Sequence, residues 1–369
     1  MKKQALALVF VLALAGACVA APVKIGAVYA NSGFLKALGE SSWRGTQAAA
    51  ALAKRSGQDV EVIYLPYDST PASAAQAVRG ALEKNPDIAA FVGIVDTDAA
   101  LTAGRVAAAA GKVFVTSGAT SPLLPRQLGP RFFMACFGDN VQAAAAAEWL
   151  RNAKKASRVV VIYNRSKAYP RLLQGYFADA FRHAGGKVDE TISYGDGEPA
   201  GLPRDLQVCD AVFVAAESAA GASKVISKLR SVGFKGPIVG GDSYDDPEFW
   251  SEEPLAENVY FTTHAYPAKG SGAASAAMLS DFRVACHGGT PDAFSGLGFD
   301  ALRLVLAAEP GKGGDLAKRL QKGAPLAGVT GSIAYQGNSR IPSKPVALIA
   351  AEHPRQMLLQ LTPAYVPAP

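Results

Sequence analysis

Cysteine, histidine, charge and long apolar runs are all sparse in this chain, and each shortage removes a class of function. The 369 residues contain four cysteines and four histidines. Cys136, Cys209 and Cys286 stand more than seventy positions apart, so a disulfide scaffold is excluded. Metal-type Cys/His spacing is missing as well, and neither a metal nor a cofactor is expected. Cys286 and His287 are neighbours in sequence, which reads as a bystander pair in a loop and not as a nucleophile with its base. His183, His264, His287 and His353 each lie among unrelated residues, and surface or structural placement is expected for all four.

Charged residues make up only 18% of the chain, with a formal net charge of +6. The basic positions, such as Lys154, Lys155, Arg158, Lys312, Lys318 and Arg319, are scattered and carry no interleaved aromatics. That pattern describes solvated helix faces and excludes a nucleic-acid surface. Enzyme signatures are absent too: there is no GxxxxGK[ST] loop, no GxSxG elbow and no HExxH. The GLG at 296–298 lacks the third glycine and the preceding strand of a dinucleotide fingerprint.

One apolar run opens the chain, Ala5 to Ala15, between MKK and the small residues Ala17 and Ala20. It is too short to remain as a membrane span, and the three regions together read as an export signal over residues 1–20, cut after Ala20. Cys18 offers a second option, a lipid-modified N-terminus. Losing Lys2 and Lys3 with the leader takes the formal charge from +6 to +4.

What the chain does contain is apolar sequence, 49% of it, in a length that suits two domains. Short strand-like runs alternate with longer helix-like ones. KIGAVYA (24–30), VEVIYLPYD (60–68), IAAFVGIV (88–95) and VFVT (113–116) are followed or separated by Ala-rich helices. The pattern restarts with RVVVIYN (158–164), DAVFVAAE (210–217) and PIVGGDS (237–243), the last followed by a loop. Near-continuous apolar strands are those covered on both faces, so the alternation predicts β-α-β units in doubly wound parallel sheets. FSGLGFDALRLVLAAE and GDLAKRLQKG read as helices, and a hairpin-like segment follows in which Gly337-Asn338 suits the tight turn. The proline-rich tail TPAYVPAP is expected to be loosely ordered.

Ligands of open α/β sheets gather outside the carboxyl ends of the strands. Four such ends carry polar residues: Asp96-Thr97-Asp98, Ser117 to Ser121, Glu217-Ser218 and Gly241-Asp242-Ser243. Two belong to each half, and a cleft between halves brings them toward one point. Thr97, Thr120 and nearby backbone N–H groups suit a ligand carboxylate, and Asp242 suits an ammonium. Taken singly, each is equally explained as an ordinary helix cap; only convergence favours the zwitterion.

These segments resemble the type I periplasmic binding proteins of ABC importers, in the branched-chain amino-acid (Leu/Ile/Val) class. KIGAVYANSGFLKALGESSWRGTQAA looks like the family opening, IAAFVGIVDTDAA with FVTSGATSPLL like its two ligand loops, and GLGFDALRLVLAA with LAGVTGSIAY like its later segments. The resemblance implies two doubly wound α/β lobes joined by three hinge crossovers, residues 21–138 plus 265–329 in the first lobe and 139–264 plus 330–369 in the second. It implies that Thr97 grips the ligand carboxylate and that Gly118, Ala119 and Thr120 contact carboxylate and ammonium. Tyr169 then closes over the ligand, and Asp242 pairs with the ammonium. Leu38, Val95 and Phe294 form the pocket wall, and Asp139 falls near the first crossover. Three positions depart. Glu217 stands where an aromatic residue is common, Leu38 replaces a tyrosine, and Asp96 takes a disulfide position whose partner cysteine is missing.

The expected protein is therefore a periplasmic, monomeric solute-binding protein that delivers a branched-chain or similar amino acid to an ABC permease and breaks no bond. The same fold binding an aromatic acid or amide, a ligand-sensing module and an exported enzyme are the alternatives. Between the two acids of the opening loop, Thr97 is read as the ligand hydroxyl and Asp98 as the helix cap.

Overall fold

A computed structural model describes residues 22–195, 209–267, 276–288, 291–310 and 312–369. The expected leader, its cut after Ala20 and Cys18 lie outside the described residues. No helix among those described is long and apolar enough to cross a membrane.

The described strands form two principal sheets. The first runs in the order β2 (Val60–Tyr67), β1 (Val23–Ala30), β3 (Ala90–Gly93), β4 (Val113–Thr116), β5 (Phe132–Met134), all parallel. Apolar runs such as Ala90–Gly93, buried throughout, are explained by helices on both faces. One face packs on α1 (Lys36–Arg55) and α10 (Ala293–Ala307), the other on α2 (Pro71–Lys84) and α3 (Thr97–Ala109). The second sheet runs β14 (Gln356–Leu361), β13 (Val346–Ala350), β10 (Val259–Thr263), β9 (Ile238–Gly240), β8 (Ala211–Ala215), β6 (Arg158–Asn164), β7 (Lys187–Tyr194). Helices α5 (Asp139–Asn152) and α6 (Ala168–His183) cover one face and α7 (Ala219–Ser231) the other.

The doubly wound α/β architecture is as expected, but several particulars differ. Strand β13 is antiparallel to β10 and β14 to β13: the chain re-enters the second sheet through residues 341–345 without a crossover helix and ends there in a hairpin. Strands β5, β7 and β10 are not among the runs recognised in the sequence; β7 is half exposed, without the apolar continuity that marks the others. The segment after β9 is not a loop alone but a 3-10 turn at Asp242–Tyr244 and the helix α8 (Pro247–Glu252). The tight hairpin joins β11 (Leu326–Gly328) to β12 (Gly331–Ile333), so its turn is Val329-Thr330, and Gly337-Asn338 turns within a later loop. Ile333 and Tyr335 pack in the core of the first sheet, and Arg340 O accepts from Met134 N of β5. Residues 330–340 thus side with the first half, not the second. The proline-rich tail is docked: Tyr365 stacks on His183 and its hydroxyl donates to Asp179, Ala364 N donates to Glu148, and Pro367 O accepts from Asn140.

The GLG of residues 296–298 has a packing explanation. Helix α10 crosses α1 so closely that a methyl on Gly298 would lie 1.9 Å from Ser42 O, and one on Gly45 would lie 1.8 Å from Ser295 O. Backbone-to-backbone approach of this kind leaves no room for Cβ. Gly298→Ala is expected to lower the unfolding free energy by about 1 to 3 kcal/mol, the usual cost of overpacking. Urea unfolding measures it, and an unchanged midpoint would mean that the two helices separate freely.

Candidate functional site

The carboxyl ends of β3 and β4 face those of β6, β8 and β9 across a narrow crevice with a free volume of about 20 Å³. Leu35, Leu38, Val95, Asp96, Thr120 and Phe294 line it from the first half. From the second half come Lys167, Tyr169, Pro170, Glu217, Asp242 and Ser243. Nine of the residues singled out in the sequence meet here. Thr97, Gly118 and Ala119 lie directly behind this lining: Thr97 is the first residue of α3, and a methyl on Gly118 would touch Phe294 and Val95.

The turn between β3 and α3 is strained. Gly93 has φ 119° and Ile94, β-branched and fully buried, has φ 58°, a conformation that costs about 1 to 3 kcal/mol and persists only where surroundings enforce it. Ile94 O accepts from Thr116 Oγ1 at 2.7 Å and Ile94 N donates to Val28 O at 2.8 Å. The kink turns Val95 and Asp96 into the crevice. Asp96, not Asp98, caps α3, accepting from Ala99 N at 2.8 Å. Burial raises the Asp96 carboxyl to about 6, against the pull of that Ala99 hydrogen bond. Asp98 reaches instead across the crevice, where Oδ2 accepts from Ala168 N at 3.0 Å.

The Gly118 and Ala119 N–H groups of the second loop are committed internally. Gly118 N donates to Ile94 O and Ala119 N to Thr116 Oγ1, so neither is free for a carboxylate as the resemblance implied. Thr97 Oγ1, by contrast, is a buried hydroxyl with no partner.

Asp242 sits at the centre of a buried polar net. Its Oδ1 accepts from Tyr169 Oη and from Gln142 Nε2, both at 2.8 Å, and Oδ2 faces His264 Nε2 at 2.9 Å. Gly241 permits the Tyr169 contact, because a methyl there would lie 2.3 Å from that hydroxyl. Gln142 is fixed in turn: Thr262 Oγ1 and Asp242 N donate to its Oε1, and its Nε2 also reaches Asp139 Oδ1 at 2.9 Å. Burial lowers the His264 pKa against the opposing hydrogen bond to Asp242. The neutral ring then donates from Nε2 while Nδ1 has no partner. Phe137 stacks on this ring at 3.9 Å. Surface or structural placement was expected for His264, and it is buried; no local spacing ties it to Asp242, 22 residues earlier, and only the β9–β10 pairing brings them together.

Glu217 accepts from Asn164 Nδ2 at 2.9 Å. Asp139 is fully buried, one oxygen lacks a partner, and its pKa is raised to about 8 by burial and then by Asp242, with hydrogen bonds from Thr120 and Gln142 opposing. Among the described residues no group of three or more His, Cys, Asp or Glu side chains is arranged to hold a metal ion.

Two sheets with strand ends facing a shared crevice have the architecture of a binding protein with its site between two α/β units. The chain belongs to the periplasmic binding protein family, which matches residues 22–353. It is 24% identical to Leu/Ile/Val-binding protein homolog 3 of Brucella melitensis over 88% of this chain and 89% of that one. It is 28% identical to Leu/Ile/Val-binding protein BraC3 of Rhizobium johnstonii over 63% and 64%. Among solved structures, a leucine-binding protein LivK of Thermotoga maritima superposes with a TM-score of 0.80 at 24% identity, covering 92% of this chain and 99% of that chain. LivJ of Streptococcus pneumoniae in complex with isoleucine gives 0.77 at 23%, covering 92% and 100%. A solute-binding protein of R. palustris in complex with benzoate gives 0.79 at 20%, covering 94% and 98%.

The buried acid has a consequence for stability. A carboxyl that titrates near 3.8 when unfolded and at about 8 when folded keeps a proton on the folded chain that the unfolded chain has lost. Stability therefore falls as pH rises through that window. His264, lowered from 6.5, opposes this mostly below that pH, and Lys344, lowered to about 8 by burial, opposes it increasingly as pH approaches 8. Between pH 6.5 and 7.5 the wild-type unfolding free energy should decline, by at most about 1.4 kcal/mol per pH unit. Asp139→Asn should flatten the decline, as read from thermal melts across that range; equal slopes would contradict the assignment.

Proposed function

We propose that the protein captures a small amino acid between its two halves and delivers it to the permease of an ABC importer, acting in the periplasm as a monomer after loss of residues 1–20. The halves divide at crossovers near residues 135–139, 264–267 and 341–345. The observation that carries this reading is the convergence, in one crevice, of Thr120 and the α3 N-terminus from one sheet with Tyr169, Glu217 and Asp242 from the other. The names of the Brucella and Rhizobium relatives support the ligand class.

Asp242 takes the ammonium, since it presents the carboxylate that the second half holds with three donors. Thr97 and Thr120 take the carboxylate. An unpartnered buried hydroxyl costs about 1 to 3 kcal/mol, and a ligand oxygen within reach of Thr97 Oγ1 relieves it. Bridging both sides, the ligand favours the closed form by the contacts it makes only there.

The benzoate complex raises a second reading, an aromatic acid without an ammonium. The lining argues against it. Asp96, Glu217 and Asp242 face the crevice against one cation, Lys167. At an effective dielectric of about 20, like charges about 8 Å apart repel by about 2 kcal/mol. A ligand bringing its own positive charge offsets this, and benzoate brings none. A thermal-shift screen after denaturation and refolding, with leucine, isoleucine and valine against benzoate, separates the two.

Asp242→Ala should weaken an amino-acid ligand by about 2 to 5 kcal/mol, the loss expected when one member of a buried charge pair is removed. Titration calorimetry reads it, and a change below about tenfold (1.4 kcal/mol) would remove Asp242 from the site. Thr97→Ala should cost less, about 1.5 to 3 kcal/mol, for one hydrogen bond to a charged group; an unchanged Kd would leave Thr97 outside the site.

A further inference from the structure

Helix α6 starts without a cap of its own. The residue before it is Lys167, whose side chain makes no capping hydrogen bond, and its first turn holds no acid. A helix begins with unpaired N–H groups and a partial positive charge, so a lysine at that point has the wrong sign. Pro170, in the first turn, removes one donor. The Ala168 N–H finds its acceptor 70 residues away, on the other half: Asp98 Oδ2 at 3.0 Å. Beside it, Lys167 Nζ lies 4.9 Å from the centre of the Phe34 ring, again across the crevice.

Asp98 is available for this because Asp96 already caps α3. Asp98 does not line the crevice, whereas Asp96 does. The two acids of the DTD sequence therefore serve different helices, one in each half, at the rim where the halves meet.

We propose that Asp98 is a closure latch: it caps α6 only when the halves are together and so tightens the hold on any ligand without touching it. An N-cap that forms in one state alone adds its whole free energy to that state. Ligand affinity includes the open-to-closed step and inherits that energy. Loss of a cap costs about 0.5 to 2 kcal/mol, which corresponds to a factor of roughly two to thirty in affinity. Lys167 over Phe34 adds a weaker contact of the same sense. The proposal rests on the reading that the halves close around a ligand, and its test keeps the two separate.

The full chain, as wild type, Asp98→Ala and Asp98→Asn, is titrated with L-leucine, L-isoleucine and L-valine, and dissociation rates are followed by stopped flow. Asp98→Ala should weaken all three ligands by the same factor, roughly three to thirty, mainly through faster dissociation. Asp98→Asn keeps an oxygen acceptor and should stay within about threefold of wild type. Unchanged affinity in Asp98→Ala, a loss that differs among the three amino acids, or equal loss in Asp98→Asn would overturn the latch. If Asp98→Ala does not fold, Phe34→Leu, which removes the ring from Lys167 and lies outside the crevice lining, replaces it, with a uniform loss of about twofold or more expected. If the wild type binds none of the three, the ligand reading fails by itself. The latch is then judged with benzoate as the probe: a weaker Kd in Asp98→Ala than in Asp98→Asn supports it, and equal Kd values overturn it.

Discussion

A carboxylate buried among uncharged donors is the constraint on which the rest of this molecule turns. Asp242 is almost wholly removed from water, where an unpaired charge is prohibitively costly. The fold answers with hydrogen bonds from Tyr169, Gln142 and His264. None of these donors is a cation while His264 is neutral, so the carboxylate is held without being neutralised. A site of that kind retains its attraction for a positively charged group, which a salt bridge to arginine would have cancelled.

The donors also tie the site to the hinge. Gln142 stands one turn into the helix that follows the first crossover, and His264 comes directly after β10, where the second crossover begins. At the third, Lys344 is buried and donates to Ala135 O, in the first crossover, and to Thr330 Oγ1. Ala135, His264 and Lys344 thus bring parts of all three crossing strands to one buried region, with Phe137 stacked on the His264 ring. A charge arriving at Asp242 is felt by groups that also hold the crossing segments together. Asp139, which shares the Gln142 amide, has its carboxyl raised to about 8 by burial and then by the neighbouring Asp242.

Much of this was legible in the sequence, for reasons that differ by residue. Strands such as 90–93 and 211–215 announce themselves because both faces are covered, and Thr120, Tyr169, Glu217 and Asp242 sit at strand ends, where topology alone directs ligands. His264 was not legible: its partner is brought by strand pairing and not by spacing. The docking of residues 364–367 escaped notice because its contacts with Glu148, Asp179 and His183 are tertiary, and local composition argued the other way. Gly118 and Ala119 mislead for a further reason. A glycine-containing loop at a strand end looks like a row of free N–H donors, yet here Ile94 O and Thr116 Oγ1 consume them.

The two acids around Thr97 show how a short sequence carries two messages. A single acid at a helix N-terminus is a cap, and a second acid two residues later, on the same first turn, would ordinarily add only a favourable charge near the dipole. With Asp96 in the cap position, the donor that the Asp98 carboxylate takes lies outside its own helix. Its partner must then come from outside, and α6 presents a first turn whose cap position is a lysine and whose third residue is a proline. Each helix lacks what the other supplies, so the complementarity is satisfied only when the two halves meet. The strained Ile94 belongs to the same logic: the buried kink that presents Asp96 to the crevice also sets the rim from which Asp98 reaches across.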